Sequence, residues 1–368
     1  MDGTEQASAA LKEIFNRRRL VHIGTEAKAV WPQFDPARFL AHATRNLDDL
    51  GIMQRTRQVA EALHETLPAD FAEAAPILEA LAPRIGHGFA TISLCEYVAL
   101  YGTDDFETAM ATLRHLTRFG SAEFAIRPFL LREQERTLSI MRDWAEDENE
   151  HVRRLASEGS RPRLPWSFQL KTLQADPSLA WPILDRLNDD ASPYVRKSVA
   201  NHLNDISKDH PDWLLARLAN WPVEQPSTRW IVGHALRTLI KKGETRALAM
   251  VGSTGKPQVE VATFAVTPAR LALGERLTLE ATLRSTSETP QRLVVDYAIH
   301  YVKKSGGASR KVFKLKAIDL TPGAERSLSI SQTIRDFTTR SHNAGHHRIE
   351  LVVNGETLAE GGFDLVMP

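Results

Sequence analysis

Cysteine is almost absent: Cys95 stands alone in 368 residues. No intramolecular disulfide framework is possible, and no thiolate cluster exists to hold a structural zinc. That fits a reducing compartment. Long apolar runs are also missing. No stretch approaches the ~18 consecutive apolar residues of a membrane-spanning helix, and the polar segment from Met1 to Ala10 lacks the basic start and apolar core of an export signal. The chain reads as soluble and unexported, with no membrane association. Nor is there an excess of charge of either sign, since 46 Lys and Arg face 46 Asp and Glu. No global field announces a polyanionic partner, and any nucleic-acid surface has to be local.

What is present falls into two grammars. All seven tryptophans precede residue 256, in a region rich in Ala, Leu, Glu and Arg at helical spacing. After Val251-Gly-Ser-Thr-Gly-Lys-Pro257 the pattern becomes short β-branched alternations between turn signals. Strands are predicted at 259–266, 276–284, 293–301, 311–318, 326–334, 347–353 and 357–366, a number and spacing that suit a β-sandwich. Asn354-Gly355 is a type I′ hairpin signal, because both central positions of that turn need positive φ. The antibody Cys and Trp landmarks are absent, so immunoglobulin-like is the apt term. The predicted organisation is multidomain, α then β: a helical domain over 1–252, a linker over 253–258 and a sandwich over 259–368.

A repeat is visible within the helical part. Asp147-Glu-Asn-Glu-His-Val-Arg-Arg154 lies on Asp190-Ala-Ser-Pro-Tyr-Val-Arg-Lys197 at an offset of 43 positions, a HEAT-like period. In each copy a first helix (130–144, then 178–187) precedes a polar turn and a second helix. A weaker third copy covers 227–240. Stacked units of this kind predict a HEAT-like α-helical solenoid with a concave face. Ser192 and Pro193 suit a helix start, and Gly159 suits a left-handed C-terminal cap.

Several polar residues stand out against this frame. Arg154 and Glu158 are four apart on one helix, and the repeat offset places Arg154 over Lys197, with Asp205 on the same strip. Such pairs are equally often ordinary solvated ion pairs. Between repeats, Glu158-Gly-Ser-Arg-Pro-Arg-Leu-Pro-Trp166 is a proline-stiffened loop with two arginines and an aromatic ring. It suits phosphate contact and base stacking, or simply plugs the joint between repeats. Glu123 is expected near a helix N-terminus, where a carboxylate commonly caps. His342, His346 and His347 lack metal-ligand spacing, and His87 reads as a turn histidine.

Three segments carry a resemblance: Gly-Ser-Ala-Glu-Phe-Ala-Ile-Arg-Pro-Phe at 120–129, His-Val-Arg-Arg-Leu-Ala-Ser-Glu-Gly-Ser-Arg-Pro-Arg-Leu-Pro-Trp at 151–166, and Tyr-Val-Arg-Lys-Ser-Val-Ala-Asn-His-Leu-Asn-Asp at 194–205. Together with the helical-then-sandwich order they resemble the AlkC branch of the bacterial AlkC/AlkD alkylation-repair family, in the subset with a C-terminal immunoglobulin-like domain. The resemblance implies a DNA glycosylase acting in base excision repair on cationic N3-alkylated bases, 3-methyladenine and 3-methylcytosine, without drawing the base into a pocket. It implies Glu123, Glu158 and Asp205 as catalytic carboxylates and Trp166 as an aromatic wall. Double-stranded DNA carrying alkylated bases is the implied partner, with no cofactor, no metal, monomeric action and a bacterial cytoplasmic, nucleoid-associated location.

Phosphate contacts are expected from Arg127, Arg153, Arg154, Arg161, Arg163 and Lys197, and from the basic loops of the C-terminal domain. From residue 256 onward there are 15 Lys and Arg against 12 Asp and Glu, including Lys303, Lys304 and Arg310 in one loop and the run 340–348 in another. The competing reading is a non-catalytic HEAT-repeat scaffold binding DNA or protein. A carbohydrate-binding accessory domain fits less well, because neither export nor exposed aromatic platforms are evident. The carboxylates discriminate: an inert phosphate groove would be simply basic.

Overall fold

The structure, a computed structural model, describes residues 11–253, 255–336 and 341–367. Among these, the helices are α1 (Arg17–Val30), α2 (Pro36–Ala43), α3 (Ile52–His64), α4 (Phe71–Ile85), α5 (Gly88–Tyr101), α6 (Phe106–Leu116), α7 (Arg127–Arg132), α8 (Gln134–Trp144), α9 (Glu150–Gly159), α10 (Lys171–Ala175), α11 (Trp181–Arg186), α12 (Pro193–Ile206), α13 (Pro211–Leu218), α14 (Pro226–Ala235), α15 (Arg237–Lys241) and α16 (Thr245–Met250). Short polar side chains start many of them. Asp35, Asp70, Asn149 and Ser192 each accept a hydrogen bond from a first-turn amide, satisfying donors that have no partner inside the helix. Helix α5 is apolar nearly all round, with Ala90, Leu94, Cys95, Tyr97 and Val98 buried. It runs through the core rather than over it. Burial pushes the Cys95 thiol above its ordinary value.

The described residues form two compact units. One contains residues 11–210 and Pro222–Ile231, the other Pro211–Trp221 and residues 232–367.

In the first unit the repeat seen in the sequence is realised atom by atom. The Asp147 carboxylate accepts from the Asn149 amide at 2.8 Å, and Asp190 accepts from Ser192 at 2.8 Å. Arg153 then donates to the Asp147 and Glu148 carbonyls, as Arg196 does to Asp190 and Ala191. Arg229 makes the corresponding bonds to Val223 and Glu224, which marks the weaker third copy. The first arginine of each copy therefore braces its own turn. Helices α9 and α12 pack on one another, and Val152, Leu155, Val195, Val199 and Leu203 on them are all buried.

The second unit holds a β-sandwich. Its strands are β1 (Val259–Thr267), β2 (Arg270–Ala272), β3 (Arg276–Ser285), β4 (Gln291–Val302), β5 (Ala308–Leu320), β6 (Glu325–Thr333), β7 (Gly345–Val353) and β8 (Glu356–Val366). One sheet has the order β1-β3-β6 and the other β2-β8-β7-β4-β5. Every pairing is antiparallel except β2 with β8. Inward residues such as Leu277, Leu279, Tyr297, Ile299 and Phe363 form the core. The predicted hairpin is present, with Asn354 at φ 48° and Gly355 at φ 83°. Gly355 is required twice over, since a Cβ there would lie 2.2 Å from the Cα of Gly243. Strand β2, three residues long, is missing from the sequence reading because it is too short for alternation to register.

Two expectations are corrected here. The run 340–348 is not a free basic loop, although Arg340 lies outside the described residues. His346, His347 and Arg348 belong to β7; His347 is buried and stacked on Phe363 at 5.0 Å, His346 pairs with Asp364, and His342 is buried against Asp336. Arg310 is not a free cation either, because its Nε donates to Glu350 at 2.9 Å. Lys303 and Lys304 are exposed in the β4–β5 turn.

Candidate active site

The first unit contains an open cleft of about 380 Å³ lined by Phe89, Ser121, Glu123, Arg154, Glu158, Arg161, Trp166 and Tyr194, among others. Four parts of the chain build it: the start of α5, the turn before α7, the second half of α9 with the loop behind it, and the start of α12.

Glu123 lies in the turn before α7 and caps no helix, contrary to expectation. Its carboxylate accepts from the Ser121 hydroxyl at 2.7 Å and from Arg154 at 2.6 Å. Arg154 reaches Glu158 at 3.8 Å, and Arg161 donates to Glu158 at 2.6 Å and to Asp205 at 2.9 Å. Lys208 closes the series at 2.9 Å from Asp205. The result is a chain of alternating sign: Glu123, Arg154, Glu158, Arg161, Asp205, Lys208. It is not a solvated surface ladder, because the side chains of Glu158 and Asp205 are only 8% and 4% exposed. Desolvation works against the charge of Arg154, but Glu123 and Glu158 hold its guanidinium above the ordinary arginine value. Arg161 behaves alike, burial opposing its charge and Glu158 with Asp205 restoring it.

Close helix packing sets this geometry. Gly159 is the last residue of α9 and does not take a left-handed conformation, so its predicted cap role is wrong. Its reason is contact: a Cβ there would lie 2.5 Å from Cγ2 of Ile126. Behind the carboxylates, the ring of His202 bonds the Ser157 carbonyl at 2.9 Å. Its burial lowers the imidazole pKa to about 4, so it is neutral at physiological pH.

Trp166 is held at the rim at φ 64° with 63% of its surface exposed, edge-on to Phe89 at 6.5 Å. It does not plug the joint between repeats. An exposed tryptophan in a strained backbone conformation is the kind of outlier found at working surfaces. Tyr194 also lines the cleft, its ring 4.7 Å from the Arg154 guanidinium.

The expected site residues are thus partly gathered and partly redistributed. Glu123, Glu158, Arg154, Arg161 and Trp166 share the cleft, and Asp205 joins them through Arg161. Arg127 is corrected outright: it has no exposed surface, and its guanidinium donates to main-chain carbonyls. Arg153 is occupied by Asp190 at 2.6 Å and by its turn, and Arg163 by Asp209 at 2.7 Å. Lys197 is exposed. Sequence reasoning singled out neither Ser121, Phe89, Tyr194 nor His202. Arg161 and Asp205 are 44 positions apart, one more than the repeat offset, so a search for opposite charges within a residue of that offset links them.

Residues 104–239 match the family described as DNA alkylation repair enzyme. Residues 260–367 match the family described as the C-terminal Ig-like domain of uncharacterised protein YhaZ. The chain also resembles, at 55% identity and a TM-score of 0.93, a solved structure of Pseudomonas fluorescens alkylpurine DNA glycosylase AlkC bound to DNA containing an abasic site analog; the match covers 97% of this chain and 99% of that one. YhaZ of Bacillus subtilis is 40% identical over 351 residues, 95% of this chain and 97% of the relative. These matches, over a HEAT-like helical region followed by an immunoglobulin-like sandwich, place the chain among the DNA alkylation-repair proteins. Within that class the chain belongs to the AlkC family. No helix among its described residues is long and apolar enough to cross a membrane.

Proposed function

We propose that this protein is a metal-independent DNA glycosylase that hydrolyses the N-glycosidic bond of cationic N3-alkylated bases, 3-methyladenine and 3-methylcytosine, in duplex DNA. The observation that carries the proposal is a cleft in which two carboxylates, Glu123 and Glu158, lie beside an exposed tryptophan, with a third, Asp205, joined to them through Arg161. A phosphate-binding scaffold has no use for buried carboxylates in its groove, whereas the reaction does. A base already bearing positive charge leaves readily, so little general-acid help is needed. Positive charge then develops on the sugar, where nearby carboxylates stabilise it.

Glu158 orients or deprotonates the attacking water. Glu123 and Asp205 act as electrostatic partners, and Trp166 presents its face to the sugar or base. The cleft is open, which favours action on a base left in or near its stack over full extrusion into a pocket. Arg154, Arg163 and Lys197 are the first unit's candidates for phosphate contacts, and Lys303 and Lys304 those of the sandwich. Arg154 and Arg163 would have to exchange a carboxylate for a phosphate. The protein is proposed to act as a monomer in the bacterial cytoplasm, at the nucleoid.

The direct test is release of free base from a duplex carrying one 3-methyladenine or 3-methylcytosine, with chelator present. Release from both supports the full reading, and release from one alone narrows the substrate. Tight duplex binding without release supports the scaffold instead.

A further inference from the structure

We infer that Arg127 is a positioning residue: from the first turn of α7 it clamps the loop between α9 and α10, and so places Trp166 and Arg161 relative to the carboxylates. It is among the largest fully buried side chains of the protein. One terminal nitrogen donates to the Gly159 carbonyl at 3.1 Å and the Arg161 carbonyl at 2.8 Å, and the other donates to the Phe168 carbonyl. Its guanidinium also lies 5.2 Å from the ring of Phe168. These three carbonyls mark the end of α9 and both sides of the loop that presents Trp166.

The arrangement supplies a cation to carbonyls at a helix C-terminus that have no partner within the helix. The planar fork of arginine reaches separated acceptors at once, whereas a lysine ammonium is a single point. Gly159 reinforces the fit, since its missing side chain lets α9 press on Ile126, the neighbour of Arg127. Burial lowers the Arg127 pKa to about 10, which still leaves it charged at neutral pH. Arg127 touches neither the carboxylates nor Trp166 through any of these bonds, so its influence is exerted through the loop backbone.

Its activity readout rests on the glycosylase reading, so the test combines that readout with one that needs no activity. In Arg127→Lys, amide hydrogen exchange over residues 160–170 speeds up. Single-turnover excision falls on the order of 100-fold, as expected for a small misplacement of a reacting group. The salt dependence of duplex binding stays unchanged. Combined with Trp166→Ala, the loss is less than the product of the two single losses, because both act through one ring. Unchanged loop exchange overturns the inference, and a salt slope reduced by about one unit would assign Arg127 to a phosphate instead. Faster loop exchange in the variant of a protein that excises nothing would sink the glycosylase reading while leaving the clamp in place. If Arg127→Lys does not fold, Phe168→Ala removes only the ring beside the guanidinium at a half-exposed position and shifts loop exchange and excision in the same direction.

Discussion

Replacing Glu158 by Gln tests the proposed chemistry with little change of shape. The side chain is 8% exposed, and its Oε1 lies 2.6 Å from Arg161 and 3.8 Å from Arg154. Water therefore screens it poorly. At an effective dielectric constant of about 20, a unit charge about 5 Å from a developing oxocarbenium ion contributes roughly 3 kcal/mol, which corresponds to a rate factor of about 100 to 1,000. Glutamine removes that charge but can still accept from Arg161, which also keeps its bond to Asp205. The fold should persist, avoiding the 3–5 kcal/mol typical of stranding a buried charge. The assay is single-turnover release of 3-methyladenine with enzyme in saturating excess, beside a thermal melt and a duplex-binding titration. The expected outcome is a rate lower by two to three orders of magnitude at unchanged or tighter DNA affinity. A rate within about threefold of the parent at saturation, less than 1 kcal/mol in barrier, would refute the electrostatic role.

Three further outcomes follow from the same geometry. Gly159→Ala places a Cβ 2.5 Å from Ile126, and should cost about 1–3 kcal/mol by overpacking, readable in a denaturant melt. Trp166→Gly should be more stable than Trp166→Ala by about 1 kcal/mol, because the backbone there is left-handed, while both lose excision. His202 has a folded pKa of about 4 against an ordinary 6.5, so between those values the unfolded chain binds more protons. Its contribution to stability is present above about pH 6.5 and is lost as pH falls toward about 4; denaturation midpoints across that range should show the slope, and His202→Gln should flatten it.

The fold was legible in the sequence where periodicity was strong. Seven strands, the Asn354-Gly355 turn and the 43-residue offset between α9 and α12 all leave patterns that local physics fixes. The carboxylates and Trp166 were reached through resemblance, since spacing alone did not separate Arg154 and Glu158 from a solvated pair. What stayed hidden was the direction of long side chains. Arg127, Arg153 and Arg163 look alike as letters, yet one clamps a loop, one braces a turn and one pairs with Asp209. Arginine is chosen both for phosphates and for carbonyls, and only tertiary placement decides between them. Glu123 and Gly159 show the same limit, because each suits a helix terminus locally but answers to a neighbour more than thirty positions away.

The alternation of Glu123, Arg154, Glu158, Arg161, Asp205 and Lys208 also constrains how this cleft can evolve. Each interior member is shared by two neighbours, so reversing the sign of any one of them sets three like charges side by side in poorly solvated ground. Viable descendants should alter these positions in compensating pairs or leave them alone. Trp166 lies outside that chain and faces solvent, so no charged neighbour constrains its replacement; what holds it in place is the contact the proposed chemistry asks of its ring.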